Sequence, residues 1–282
     1  MMGTFVEVTS PDKSAAGIVF GEIKRLEDLL SKYKENSEIA QLNRTGKLKL
    51  SPDVFYLIKK SIAFWQASDG AFDITVGPLV DLWGFTDKKF FVPGEGRIKN
   101  ILPLIGSDKI ILHNSDNVVE FRLSGMKIDL GGIAKGYALD CAVDKLKEAG
   151  IKTCLINAGG QVNCLGYKFR QPWVIAVRNP RGKDTVDYLM LLPGQSVATS
   201  GDYEQFFVKD NKRYSHILDP RTGYPADSGI TSVSVIAPSG LFADALATAI
   251  FVLGKEKGEA LAKKFPGVEV RIVEKKDVQD NK

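Results

Sequence analysis

Cysteine is scarce in this 282-residue chain: Cys141, Cys154 and Cys164 form no C-x-x-C spacing and leave an odd thiol however they pair. They read as two small core residues and a third near a turn, and they do not fix the compartment. Long apolar runs are missing too. No stretch approaches the ~18 to 20 residues of a membrane span, and MMGTFVEVTS lacks the basic flank and apolar core of a signal peptide. Charge is not concentrated: net charge is +4 and the lysines are dispersed, so no basic cluster of the kind that marks a nucleic-acid patch is present and nucleic acid is not an expected partner. Nor is there a Pro/Ser-rich linker, a charge block, a low-complexity run or an internal repeat. One compact domain over residues 1–275 is expected, with 276–282 a flexible tail.

What is present is ordinary globular material, 44% apolar and 26% charged, enough for a sizeable core. FVEV opens as a strand. IVFGEIKRLEDLLSKY carries Ile23, Leu26, Leu29, Leu30 and Tyr33 at helical spacing, and SPDVFYLIKKSIAFWQASDG starts on a Ser cap followed by Pro and stops at Asp69-Gly70. KIILH, NVVEFRL, MKIDL, TCLIN, QVNCLG, WVIAVRN, DYLMLL and SVATSG read as short strands, with the helix KGYALDCAVDKLKEAG among them. ITSVSVIAP, the apolar helix LFADALATAIFVLG, the helix GEALAKKF and VEVRIV complete the chain. One helix set among hairpin-like strands argues for an α+β fold rather than a doubly wound parallel sheet.

Four clusters could carry chemistry. IDLGGIAKGYALD matches neither the P-loop nor the dinucleotide fingerprint. Its glycines would let backbone N–H groups approach an anion at a helix N-terminus, with Lys135 adding charge. Equally, it is a strand-to-helix turn that needs positive φ, with Lys135 solvated. Asp129 ends an apolar run, where a carboxylate must be paired, bound to a ligand or placed at the strand mouth as a cap. DGAFDITVGPLVDLWGF, residues 69–85, could hold a flat ring between apolar walls beside the carboxylate of Asp73, or be a buried loop whose aromatics are core. YSHILDPRTGYPA contains His216, the better placed of two histidines to serve as a general base near neutral pH, with His113 structural or exposed. In FADALATAI, Asp244 and Thr248 share a helix face four residues apart. An oxygen-only pair suits a hard cation such as Mg²⁺, although Asp244 could be a cap and Thr248 could bond back to its own helix.

MGTFVEV, SKYKENSEIAQLN, DGAFDITVGPLVDLWGF, IDLGGIAKGYALD, INAGGQV, TSGDYEQFF, YSHILDPRTGYP and DALATA closely resemble, in sequence and order, the FAD:protein FMN transferase family of ApbE-like flavin transferases. The resemblance spans the chain and implies a T-fold-like α+β domain of antiparallel strands and packed helices that binds FAD in one cleft. It implies an enzyme that uses Mg²⁺ to split FAD and attach FMN by a phosphoester to a threonine or serine of a target flavoprotein, releasing AMP. By the same resemblance the target is a subunit of a membrane redox pump.

Carried over position by position, Met2, Tyr33, Ala71, Phe72, Asp73, Asp129, Lys135 and Leu218 are expected FAD contacts, the last through its backbone. Asp244, Thr248 and the main-chain oxygen of Gly132 are the expected Mg²⁺ ligands, and His216 is the expected catalytic base. Some members carry D-x-x-D-T where this helix has Ala247, so one possible carboxylate ligand is missing and metal affinity is affected. Alternatives are an FAD pyrophosphatase yielding FMN and AMP, or a non-catalytic FAD-binding protein. Family members commonly sit outside the cytoplasmic membrane on a lipid anchor, so that location is expected here with an export segment trimmed away, cytoplasmic residence being the alternative.

Overall fold

The computed structural model describes residues 1–182 and 185–275, so the tail expected at 276–282 lies outside the described residues. In chain order the elements are β1 (Val6–Thr9), α1 (Ala15–Leu30), α2 (Glu38–Thr45), β2 (Lys47–Lys49), α3 (Pro52–Ala67), α4 (Gly77–Leu82), α5 (Glu95–Ile101), β3 (Ile110–His113), β4 (Val118–Phe121), α6 (Ala134–Glu148), β5 (Cys154–Ala158), β6 (Gln161–Leu165), β7 (Trp173–Arg178), β8 (Thr185–Leu191), β9 (Ser196–Gly201), β10 (Phe206–Lys209), β11 (Lys212–Ser215), β12 (Ile230–Ala237), α7 (Gly240–Leu253), α8 (Lys255–Ala262) and β13 (Glu269–Glu274).

The central sheet is antiparallel throughout, in the order β1-β5-β6-β9-β12-β13. Helices cover one face and the β7–β8 ribbon covers the other. β12 is therefore buried along its whole length: Val233, Val235 and Ala237 point into the helix-side core while Ile236 meets Trp173, Leu189 and Leu191 of the ribbon. Of its buried polar residues, Ser234 pairs with Thr199 Oγ1 at 2.7 Å, whereas the Thr231 hydroxyl has no hydrogen-bond partner among the described residues. On the helix side, Ala15, Val19 and Ile23 of α1 lock against Leu139, Ala142, Val143 and Leu146 of α6, the i, i+4 stripes that the sequence displays. Each large side chain so buried contributes about 1.5–3 kcal/mol. The result is the α+β fold expected from the strand and helix pattern. Among the described residues no helix is long and apolar enough to cross a membrane.

α6 and α7 cross backbone on backbone. A Cβ placed on Gly136 would overlap the carbonyl oxygen of Gly240, and one on Gly240 would lie 2.6 Å from the carbonyl oxygen of Gly136. Gly136→Ala should therefore cost about 1–3 kcal/mol, the range for overpacking a tight core. Thermal unfolding by circular dichroism should show a fall of several degrees, and an unchanged midpoint would mean that the two helices can separate freely.

Two expectations need correction, and one element is new. MKIDL is not a strand: residues 126–130 run extended without a ladder. Their backbone is held by the Asn43 side chain, which accepts from Ile128 N at 2.7 Å and donates to Ile128 O at 2.9 Å, and by Asp129 N donating to Ile74 O at 2.7 Å. Tyr33, counted on the α1 stripe, falls beyond the helix end at Leu30 and is 65% exposed. The β10–β11 hairpin was not anticipated; its Asp210-Asn211 turn, with φ of 52° and 57°, is the two-residue type that joins twisted strands.

Candidate active site

Residues 131–133 turn the chain into α6, whose N-cap, Ile133, has no side-chain acceptor. The first-turn amide of Gly136 donates instead to Asp244 Oδ2 on α7, at 3.0 Å. Asp140 on α6 does the reciprocal job at the start of α7, accepting from Gly240 N at 2.7 Å, Leu241 N at 2.9 Å and Ser239 Oγ at 2.6 Å. Asn163 Nδ2 adds a fourth bond at 2.7 Å. Each helix thus lends a carboxylate to the positive end of the other. Burial pushes the Asp140 carboxyl up, outweighing the pull of its donors.

Thr248, one turn beyond Asp244, faces the same turn: a Cβ on Gly132 would lie 3.0 Å from Thr248 Oγ1 and 3.4 Å from Phe72 Cε2. Neither Gly131 nor Gly132 has positive φ. What keeps a side chain off Gly132 is the approach of Thr248, not backbone handedness. Lys135 is not simply solvated; its Nζ lies 3.9 Å from Asp244 Oδ1 and 3.5 Å from Gly131 O. Thr248 Oγ1 does bond back to Asp244 O, at a long 3.3 Å.

Gly132, Lys135, Asp244 and Thr248 therefore converge. Apart from the Lys135 ammonium, the polar groups of this set are oxygens, and Asp244 is 5% exposed with one carboxylate oxygen held by an amide and the other facing that ammonium. Such a set fits a hard divalent cation. Among the described residues no group of three or more His, Cys, Asp or Glu could hold a metal. A cation held here would have one protein carboxylate, that of Asp244, since Ala247 offers none, and would need neutral oxygens, water or ligand phosphates to complete its shell.

Asp129 flanks this turn. Its Oδ1 accepts from Gly131 N at 2.8 Å and its Oδ2 pairs with Lys32 Nζ at 2.8 Å. Lys32 also donates to Thr86 Oγ1 at 3.0 Å, Thr86 to Asp81 at 2.5 Å, and Lys127 to Asp81 at 2.8 Å. Burial disfavours the Lys32 ammonium, but the charge and hydrogen bond of Asp129 overcome it and hold its pKa above the usual lysine value.

His216 lies within electrostatic reach of both Lys135 and Asp129. Its backbone N and its Nδ1 both contact Gln205 O at 3.0 Å. A carbonyl only accepts, so Nδ1 carries the proton and Nε2 keeps its lone pair. Phe85 stands edge-on to the ring at 6.4 Å. Desolvation lowers the imidazole pKa to about 4, against the Gln205 bond, and Lys135 adds to the fall while Asp129 opposes it. His113 is elsewhere, with Nε2 3.3 Å from Glu120 on β4.

In the 69–85 segment, which the structure folds partly into α4, Ala71 and Phe72 are buried, the latter beneath Gly132. Asp73 is committed to donors of its own turn and of Ser107: Oδ1 accepts from Thr75 N, Thr75 Oγ1 and Ser107 Oγ at 2.7–2.8 Å, and Oδ2 from Ser107 N at 3.1 Å. Burial raises its pKa despite these bonds. Asp73 still borders a hollow of about 510 Å³, with Trp65, Asp69, Gly70, Gly106 and Arg221. Tyr33 adjoins the Asp129–Lys32 pair, the Lys32 ammonium lying 5.1 Å from its ring centroid. Met2 is tied to α1 through Glu27 Oε1 at 2.7 Å, and Leu218 is buried beside Leu79 and Trp83 and bridges to Pro225. Lys32, Thr86, Asp140 and Gln205 were missed from the sequence. Of these only Asp140 had a local signal, standing one helical turn after Gly136.

Over residues 2–272 the chain matches the model of the ApbE family. A Klebsiella pneumoniae protein named FAD:protein FMN transferase is 36% identical over 281 residues, covering 98% of this chain and 87% of the relative. A Treponema pallidum protein of the same name is 35% identical over 273 residues, covering 90% and 75%. The solved ApbE protein of Thermotoga maritima superposes with a TM-score of 0.91 at 40% identity, covering 98% of this chain and 93% of its own. The flavin transferase ApbE from Vibrio cholerae gives 0.85 at 29% identity, covering 98% and 91%. With the match running through almost the whole chain in both sequence and backbone, the chain belongs to the ApbE family.

Proposed function

We propose that this chain is an FAD:protein FMN transferase, which moves FMN from FAD to a threonine or serine of a target flavoprotein and releases AMP. The relatives that bear this name support the reaction class. The observation that carries the reading is the meeting of Gly132, Lys135, Asp244 and Thr248 beside a histidine whose Nε2 is unprotonated.

In the proposed reaction the threonine oxygen attacks the FMN-side phosphorus of FAD. The new O–P bond forms as the bridging P–O bond breaks, AMP leaves with the bridging oxygen, and the hydroxyl proton passes to His216 Nε2. Asp244, Thr248 and the Gly132 main-chain oxygen would hold Mg²⁺, which when bound neutralises charge on the phosphates. Lys135 supplies a fixed cation at the N-terminus of α6, where anions are favoured. Asp129, held by Lys32 and Gly131 N, keeps the turn in place. Met2, Tyr33, Ala71, Phe72, Asp73, Asp129, Lys135 and Leu218 are the proposed FAD contacts, and the 510 Å³ hollow beside Asp73 is of a size to take one end of the dinucleotide. The acceptor is proposed to be a subunit of a membrane redox pump, with the enzyme lipid-anchored at the extracytoplasmic face.

A base with a pKa of about 4 is neutral at any pH well above that value. Because the folded pKa lies below the unfolded one, acidification from pH 6.5 toward 4 also drains the stability that goes with keeping the ring neutral. The acid limb of kcat/KM that belongs to His216 should lie nearer pH 4 than pH 6.5, read from a pH–rate profile of transfer. A limb at the free imidazole value would contradict this lowered pKa. The reaction class itself is tested by AMP release from FAD and Mg²⁺ with and without acceptor. Release that requires the acceptor supports transfer, and equal release without it supports a pyrophosphatase.

A further inference from the structure

The rings beside His216 continue outward to an exposed, cationic hairpin. Phe85 lies 5.6 Å from Phe90 and 5.8 Å from Phe207, and both Phe90 and Tyr214 stack on Phe207 at 5.1 Å. β10 and β11 form a two-stranded sheet of their own. Gln205, whose carbonyl fixes the His216 ring, is the residue immediately before β10, so the hairpin and the candidate base are held together.

The outer side of this unit is unusual for a surface. Val208 is 60% exposed, Phe90 45% and Phe206 36%. Lys209, Lys212 and Arg213 on the hairpin and Lys88 and Lys89 on the 87–92 loop outnumber the local acids Asp87 and Asp210. The cations lie against rings: the Arg213 guanidinium is 4.0 Å from the Phe206 centroid and the Lys212 ammonium 5.5 Å from that of Tyr214. Exposed rings under basic side chains, continuous with a catalytic base, form a surface that matches an acidic partner. The two-stranded sheet also has open edges that can pair with an extended segment.

We propose that the β10–β11 hairpin, with the 87–92 loop, is the docking surface for the acceptor protein and receives an acidic, extended segment that delivers its threonine to His216. This rests on the transferase reading. A small-molecule substrate needs no such surface; a protein acceptor has to be aligned on one, and this is the exposed apolar surface joined directly to the base.

The test is steady-state transfer by the full chain to an acceptor flavoprotein, comparing wild type with Lys209→Glu/Lys212→Glu and with Val208→Ser. These exposed substitutions should leave the unfolding midpoint close to wild type. The charge reversal should raise the KM for acceptor by about tenfold or more with kcat and the KM for FAD unchanged. Val208→Ser should raise it less, and added salt should raise the wild-type KM more than that of the double variant. Wild-type acceptor KM in both variants would overturn the docking surface and leave transfer standing. A wild-type dimer in sedimentation that the double variant dissociates would assign the hairpin to a second copy and overturn it likewise. Failure of the wild type to flavinylate any threonine acceptor would instead bring down the transferase reading, and the docking surface with it.

Discussion

His216→Asn should slow FMN transfer by about 10²–10⁴-fold, the range for losing a positioned proton acceptor, while FAD binding stays close to wild type. Asparagine can still donate an amide N–H toward Gln205 O, as the Nδ1 proton does at 3.0 Å, but it places no lone pair where Nε2 was. The ring makes one edge-on aromatic contact, with Phe85 at 6.4 Å, so its removal disturbs little packing. Single-turnover transfer and flavin fluorescence titration separate the two effects. Full transfer by the variant would remove His216 from the chemistry.

The second large effect is expected at Asp244, and two substitutions divide its two jobs. Asp244→Asn retains an oxygen for the Gly136 amide but loses the charge that a cation needs. The Mg²⁺ concentration for half-maximal transfer should rise by at least about 10²-fold, since even the residues behind metal ligands are worth 10–100-fold. Asp244→Ala should show the same loss and in addition destabilise the chain by about 1–2 kcal/mol, because the first-turn amide of α6 loses its acceptor. Thermal unfolding supplies a readout apart from activity: Mg²⁺ should raise the midpoint of the wild type and not that of Asp244→Asn. An equal Mg²⁺ requirement in wild type and Asp244→Asn would place the cation elsewhere.

Much of the fold can be read from the sequence because its signals are local. Ser51-Pro52 starts α3, and β5, β6 and β12 are short runs bounded by turn residues, with β12 rich in β-branched side chains. MKIDL misleads because its residues suit a strand while its backbone partners are an asparagine side chain 85 positions away and the carbonyl of Ile74, not a neighbouring strand. Asp244 and Thr248 could be paired from helical spacing alone, but nothing local brings Gly132 to them. Only the order of several separated motifs, seen as a resemblance, implied that meeting. Lys32 with Asp129, and Asp140 with the start of α7, join residues about a hundred positions apart and left no periodic trace. At Asp73 the Asp-x-Thr spacing is a local turn signal, but Ser107, which completes the turn from a distant segment, leaves no trace near it in the sequence.

The most direct test of the transferase reading is intact-mass spectrometry of a threonine-bearing acceptor flavoprotein after incubation with the enzyme, FAD and Mg²⁺. A gain of one FMN less one water, mapped to a threonine and matched by one AMP per acceptor, is the predicted result. AMP released in the presence of that acceptor with no mass added to it would contradict transfer and make the chain a pyrophosphatase.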